Sequence, residues 1–553
     1  MRSAKVTDYY TLKGNVGGET YKPTFTFHGF RYIEVTVVSP NTTIHVKSLI
    51  GKVIMSALQQ TGNITTSHPS VNQLFSNILW GHRGNYLWVP TDCPQRDERV
   101  GWSGDTQLFA NTALYNMDAA IFLENWIDML KDSQNIYGNG TFHSASPGGR
   151  FSDFFGVVGN SGWADAGIIV PWTVWQMTGD TTIIEENYDA MAKFIDWIYK
   201  QTGDTYRGPG SIGDWLNFQG TATQLMSDAY YAYDAKLMMQ MALAIGRQTE
   251  AQRYKNLFES IKQEFIKNYI KVNESGKLTL KSSNGSAFDL TNFYNSAPVE
   301  DNSQCALLWS LKLGLYKNED QKQQMINLLV ENIKNDKKYK TSHPDSNRVN
   351  YAENTLSVGF LGVNVIAPIL SEVGHSEVAY SLLLQDQMPS WLYSVKNGAT
   401  TVWERWNSYS LEDGFGDVGM NSFNHYAYGA IAEWMYKYMA GISPDVERPG
   451  FKHIHLQPNI DPEKRLTSVS GEYKSVYGII KSEWNIKGNT LHYHVSIPAN
   501  TTATVWLPTS DVNKIKINGE PIEDYSKIND IDFKNGKAMI QIESGHYQLE
   551  SIY

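Results

Sequence analysis

The residues best equipped for chemistry lie in one stretch, Thr91-Asp92-Cys93-Pro94-Gln95-Arg96-Asp97-Glu98-Arg99-Val100-Gly101-Trp102-Ser103-Gly104-Asp105. It carries carboxylates at Asp92, Asp97, Glu98 and Asp105, guanidinium groups at Arg96 and Arg99, and a tryptophan between two glycines. Pro94 forbids a regular helix across it, so these groups are displayed on a loop. The bland reading is a solvated, salt-bridged loop, the usual fate of acidic runs. Trp88-Val89-Pro90 before it and Trp102 within it argue otherwise. Cleavage of a glycosidic bond commonly needs such a set: one carboxyl protonated to assist the departing oxygen, another ionised. The arginines can keep some carboxylates charged, while burial beside Trp102 can raise the pKa of another. Asp97 and Glu98, being adjacent, point opposite ways in an extended segment, so one faces substrate and one the scaffold.

The second carboxylate must come from elsewhere. Ala399-Thr400-Thr401-Val402-Trp403-Glu404-Arg405-Trp406 supplies one, because an acid between Trp403 and Trp406 is a poor surface residue. A buried salt bridge to Arg405 is the structural alternative.

These two segments are over three hundred residues apart, so the fold has to join them. Residues 1–69 read as β, with Tyr21–Phe27 and Arg31–Val38 in partial alternation around His28-Gly29-Phe30, and Thr43–Val46 and Val53–Ala57 extending the pattern. That region reads as a partial N-terminal β-domain. From 70 to 440 the periodicity predicts about twelve helices: 71–83, 104–115, 118–132, 164–177, 181–201, 223–246, 248–270, 302–313, 317–334, 355–373, 375–387 and 422–440. Six successive hairpins are the number that closes an (α/α)6 barrel, and no fixed repeat of 30 to 45 residues favours an open solenoid. The long connections 133–163, 203–222 and 388–421 are rich in glycine, serine and aromatics and are expected to wall a central funnel. Period-two alternation returns at Phe451–Leu456, Leu491–Ile497 and Ala503–Leu507, which predicts a C-terminal β-sandwich over 441–553. The fold class is therefore mainly α with flanking β.

Composition narrows the partner. A net charge of -10 leaves no basic surplus for a nucleic acid. Aromatic residues make up 12% of the chain, and flat amphipathic rings suit sugar faces, although large helical cores also use them. Cys93 and Cys305 show neither a disulfide framework nor metal-ligand spacing. The alternating pairs His453/His455 and His492/His494 read as strand faces turned to solvent, so no metal and no cofactor is expected. No run of about 18 apolar residues occurs, hence no membrane insertion is expected.

The segment from Asp92 to Asp105, followed far downstream by Thr400-Thr-Val-Trp-Glu404-Arg-Trp406 and by Asn421-Ser-Phe-Asn-His425-Tyr-Ala-Tyr-Gly429, closely resembles the α-L-rhamnosidases of glycoside hydrolase family 78. The resemblance implies an (α/α)6 catalytic barrel that hydrolyses terminal α-L-rhamnosides with inversion. It implies Glu98 as general acid and Glu404 as the base that activates water. Asp92, Trp102 and Asp105 then match sugar-binding positions, His425 matches the histidine after the base, and Trp163 and Trp215 match pocket tryptophans. Asp165 and Asp214 are expected either as polar partners or as helix caps. Rhamnose-containing glycosides or polysaccharides are the implied partners. Family members usually carry further β-domains before the segment corresponding to residue 1, and an exported, periplasmic or secreted location is the expectation if this chain lacks a leader and those domains. Two alternatives stand beside this reading: another inverting (α/α)6 glycosidase of glucoamylase or trehalase type, and a non-catalytic carbohydrate-binding relic. A metal-dependent hydrolase is a weaker one, since no ligand spacing accompanies the acidic loop. Oligomeric state is left open.

Overall fold

A computed structural model describes residues 4–39, 42–137, 139–147, 159–282, 297–416, 419, 421–509, 511–525, 528–534 and 536–552. Among them, twelve principal helices follow one another in hairpins: α1 Pro69–Asn85, α2 Ser103–Asn116, α3 Ala120–Tyr137, α4 Ala166–Thr178, α5 Thr182–Thr202, α6 Thr223–Ala244, α7 Gln248–Tyr269, α8 Gln304–Leu313, α9 Glu319–Lys334, α10 Phe360–Glu372, α11 Ser376–Leu384, and α12 over 427–440. The last is composite, with a 3₁₀ turn Ala427–Ala430, an α turn Ile431–Trp434 and a π turn Met435–Ala440.

Sequence decides which helices lie inside. In α2 every residue but Asn111 is buried, as expected of a helix enclosed on all sides. In α5 burial follows one stripe, Ile184, Tyr188, Met191, Ile195 and Ile198, while Glu185, Glu186 and Asp189 face water. The even-numbered helices touch in the order α2, α4, α6, α8, α10, α12 and back to α2, which closes the inner ring of an (α/α)6 barrel. All twelve predicted helices are present.

The C-terminal region is strand-rich. Ser468–Ser475, Gly478–Lys487, Thr490–Pro508 and Lys537–Ile552 pair antiparallel in sequence, and His453–Leu456 adds in parallel to Thr490–Pro508. The two runs expected at Leu491–Ile497 and Ala503–Leu507 form one strand with an irregularity between Ile497 and Thr502. Asn518 and Gly519 turn the small hairpin Lys516–Ile517/Glu520–Pro521 with φ of 54° and 88°, as a two-residue hairpin turn demands.

The individual strands expected in the amino-terminal region are corrected. Tyr21–Phe27, Arg31–Val38, Thr43–Val46 and Val53–Ala57 form no strands among the described residues. Val35, Val37, Val46 and Val53 lie exposed, and alternating apolar residues without a second layer to cover them do not sustain a sheet. The strand that does form before the barrel, Gly62–Thr66, joins the C-terminal sheet against Ser468–Ser475.

Candidate active site

Because every second helix runs in the same direction, the N-termini of the inner helices share one end of the barrel. The residues singled out in sequence gather there. Trp102 is the N-cap of α2 and Asp105 lies in its first turn. Trp163 and Asp165 immediately precede α4, Trp215 precedes α6, and His425 precedes α12. Glu404 sits on the connection between α11 and α12, where residues 402–404 and 422–425 are tied by Glu404 N–H to Ser422 O at 2.9 Å and His425 N–H to Val402 O at 2.9 Å.

Arg96 is the hub. Its Nη1 donates to Glu404 Oε2 at 2.9 Å, and its Nη2 donates to Asp92 Oδ2 at 3.2 Å and Glu404 Oε1 at 3.3 Å. Its Nε lies 3.0 Å from Glu98 Oε2. One buried guanidinium thus holds both motifs together. Glu404 Oε2 also accepts from Ser422 N–H at 2.8 Å, and Glu98 Oε1 accepts the Trp102 indole N–H at 2.9 Å. Asp97 faces solvent while Glu98 turns inward, which answers the question that local spacing left open.

His425 Nε2 meets Asp105 Oδ1 at 3.1 Å, both side chains buried. Burial alone would lower the histidine pKa, but Asp105, Glu404 and Asp92 together raise it. Trp163 is 3% exposed and packs on the start of α2, where a Cβ on Gly104 would stand 2.6 Å from its Nε1; only glycine fits. Trp215 is 8% exposed, and its carbonyl accepts the first N–H of α10 at 2.9 Å. Both tryptophans are therefore walls of the barrel mouth rather than open platforms. Asp214 accepts from the N–H groups of Gly359, Leu361 and Gly362 at 2.7, 2.8 and 3.2 Å, so it caps α10 from another hairpin. Asp165 takes the Gly162 N–H at 2.6 Å and holds the turn before Trp163. The expected loop walls are partly visible: 203–222 is described throughout, whereas 138 and 148–158 in one loop and 417, 418 and 420 in another fall outside the described residues.

Among the described residues there are two groups of three ligand-type residues whose ligand atoms, within each group, all lie within 4.8 Å of one another. In Asp92, Cys93 and Glu98, Arg96 already provides the positive charge, and burial pushes the Cys93 thiol well up, away from the thiolate a metal needs. In Asp445, His453 and His455, Arg448 Nε is on Asp445 at 2.8 Å. Both ring nitrogens of His453 are taken by Thr502 and Thr504 hydroxyls, at 2.7 and 2.8 Å. His453 is buried, which corrects its expected place on a solvent face; His494 does face solvent. Both cysteines are free and buried.

Asp92 gives the site a pH signature. Burial, then the Glu98 charge, push its carboxyl up to about 7, against the opposing pull of Arg96, His425 and the Cys93 thiol. Such an acid keeps its proton longer folded than unfolded, so its stabilising contribution is full below about 4, the unfolded value, and is lost as pH rises through about 7. Urea titrations across this window should show wild type losing stability relative to Asp92→Asn. Parallel curves would remove Asp92 as the source.

The ring of six hairpins with carboxylates at its mouth is the architecture of six-hairpin glycosidases. Residues 59–439 match the bacterial alpha-L-rhamnosidase 6 hairpin glycosidase domain, 441–520 the bacterial alpha-L-rhamnosidase C-terminal domain, and 1–55 the bacterial alpha-L-rhamnosidase concanavalin-like domain. The chain belongs to the bacterial α-L-rhamnosidase family. It is 36% identical over 564 residues to an alpha-L-rhamnosidase of Formosa agariphila, covering 100% of this chain and 55% of that one. It is 36% identical over 521 residues to one of Streptomyces avermitilis, covering 93% and 45%. The chain thus spans about half the length of these curated relatives. The crystal structure of Streptomyces avermitilis alpha-L-rhamnosidase complexed with L-rhamnose superposes with a TM-score of 0.76 at 32% identity, covering 90% of this chain and 43% of that one.

Sequence reasoning treated Arg96 as one local counter-charge and missed its bridge to Glu404. Its position four residues after Asp92 and two before Glu98 was the available signal. Ser422, which orients Glu404 through its backbone, carried none.

Proposed function

We propose that this protein hydrolyses terminal non-reducing α-L-rhamnosyl residues with inversion at the anomeric carbon. The observation that carries the reading is the single Arg96 guanidinium engaging both Glu98 and Glu404, which brings an acid and a base to one barrel mouth. Glu98 transfers its proton to the glycosidic oxygen as the bond from C1 to that oxygen breaks. A water attacks C1 from the opposite face and gives its proton to Glu404, releasing an alcohol and β-L-rhamnose. Inversion needs room for that water, so the two carboxyl groups are expected roughly 6.5–9.5 Å apart. Asp92, Asp105 and His425 supply polar groups for the vicinal hydroxyls, Trp102 supplies apolar surface for the methyl group and ring carbons of a 6-deoxy sugar, and Trp163 and Trp215 wall the pocket around it.

The relatives' names and the rhamnose complex of the Streptomyces avermitilis protein support the sugar assignment. The domain division 1–69, 70–440 and 441–553, substrates that include rhamnose-containing polysaccharides, and a periplasmic or secreted location belong to the same reading. Among the described residues no helix is long and apolar enough to cross a membrane. The test is hydrolysis of an aryl α-L-rhamnoside followed by NMR of the first-formed sugar. β-L-Rhamnose is expected; α-L-rhamnose as first product would overturn the mechanism, and no release of rhamnose would overturn the substrate.

A further inference from the structure

Between residues 4 and 54 the described chain is almost entirely exposed, yet Phe27, His28 and Gly29 form a run of three residues partly withdrawn from solvent. What they touch is the loop carrying Arg96 and Glu98. The Arg99 guanidinium lies over the Phe27 ring, 4.9 Å from its centre. Gly29 lies so close to Gln95 that a Cβ there would stand 2.7 Å from Gln95 Cβ and 3.1 Å from its Cα. His28 Nε2 lies 3.1 Å from Asp8 Oδ2, which ties the turn to its own segment.

Both contacted residues lead on to the proposed catalytic groups. Arg99, in a left-handed conformation with φ of 51°, donates through Nε to Arg96 O at 2.7 Å, fixing the backbone from which the hub guanidinium projects. Gln95 donates through Nε2 to the Ser422 hydroxyl at 2.8 Å, and Ser422 N–H holds Glu404 Oε2 at 2.8 Å. A non-glycine residue at positive φ is strained and persists only where its surroundings hold it. At Arg99 the Phe27 ring and the Arg96 carbonyl supply that hold.

We infer that Phe27 and Gly29 are positioning residues for the reaction: the amino-terminal segment straps the catalytic loop and sets the geometry of Arg96, Glu98 and Glu404. Phe27 and Gly29 meet Arg99 and Gln95, neither of which is a proposed substrate-binding residue. The strap therefore acts on the chemical step and leaves sugar affinity alone. The inference rests on the proposed roles of Glu98 and Glu404, so two independent readouts are required.

The first is steady-state kinetics of Phe27→Ala, Phe27→Leu, Phe27→Tyr and Gly29→Ala in the full chain, on the aryl α-L-rhamnoside. Phe27→Ala, Phe27→Leu and Gly29→Ala should lower kcat by roughly 10- to 100-fold with KM within about twofold, the penalty of a misplaced catalytic group. Phe27→Tyr keeps the ring face for Arg99 and should restore kcat, whereas leucine keeps bulk without a π face. Wild-type kcat in Phe27→Leu, or equal losses in the leucine and tyrosine variants, would overturn the cation–ring strap. The second readout is hydrogen–deuterium exchange, which needs no substrate. Phe27→Ala should speed exchange at 95–101 while leaving α2 and α12 protected. Unchanged exchange there overturns the strap even if the substrate reading stands. An inert wild type with the exchange effect present overturns only the substrate reading.

Discussion

Glu98→Gln and Glu404→Gln should each lower turnover of an α-L-rhamnoside by roughly 10³-fold or more while the protein stays folded, because each removes one proton transfer from the transition state. The two losses should differ with the leaving group. A dinitrophenolate leaves without much protonation, so Glu98→Gln should recover much of its deficit on such an aglycone. Glu404→Gln should stay equally impaired on every aglycone, since attack by unactivated water is then the obstacle. Steady-state kinetics on aryl rhamnosides of graded leaving-group pKa check this. Recovery by Glu404→Gln and not by Glu98→Gln would exchange the two assignments, and full activity of either variant would remove that residue from the mechanism. Glutamine preserves volume and an acceptor for the Trp102 indole and the Ser422 N–H, so folding should survive both changes.

Arg96→Met should do more damage, and of another kind. The guanidinium is 6% exposed and bridges Asp92, Glu98 and Glu404. Without it three carboxyl groups share a confined space, because the loop's other guanidinium, Arg99, is turned to the Phe27 ring and the Arg96 carbonyl. Removing one partner of a buried ion pair typically costs about 3–5 kcal/mol, so a matching loss in urea-induced unfolding is expected together with near-complete loss of kcat. Arg96→Lys should rescue stability only in part. An ammonium is a point charge and cannot present a planar fork to carboxylates on several sides at once. A methionine variant as stable as wild type would show that the acids neutralise one another by sharing protons and that the arginine serves orientation alone.

The barrel was legible because its signal is local. In α5 the stripe from Ile184 to Ile198 repeats at helical spacing, and twelve such segments in succession leave few arrangements besides a closed double ring. The candidate site was readable as a proposal because its acidic and aromatic residues sit in short motifs, Asp92 to Asp105 and Val402 to Trp406. The failures share a cause, dependence on distant partners. Val35 and Val37 alternate as a strand would, but alternation specifies a strand only where another layer covers the apolar side. Asp214 could be read equally as a ligand or a cap, because the helix end it caps begins nearly 150 residues later. His453 was misplaced because a short strand was read without Thr502 and Thr504, the neighbours that satisfy its ring.

The strand Gly62–Thr66 has a consequence for how the molecule comes into being. It lies next to Ser468–Ser475, so the residues that introduce the barrel are held by residues that follow its closure. At 5–20 residues per second a ribosome needs roughly 20–80 s to make the intervening chain, and through that interval an unpaired strand edge waits beside a half-built ring. Assembly therefore joins segments far apart in the chain, and the enzyme proposed here would acquire its acid and its base as a working pair only once Ser468–Ser475 has been made and can pair with Gly62–Thr66.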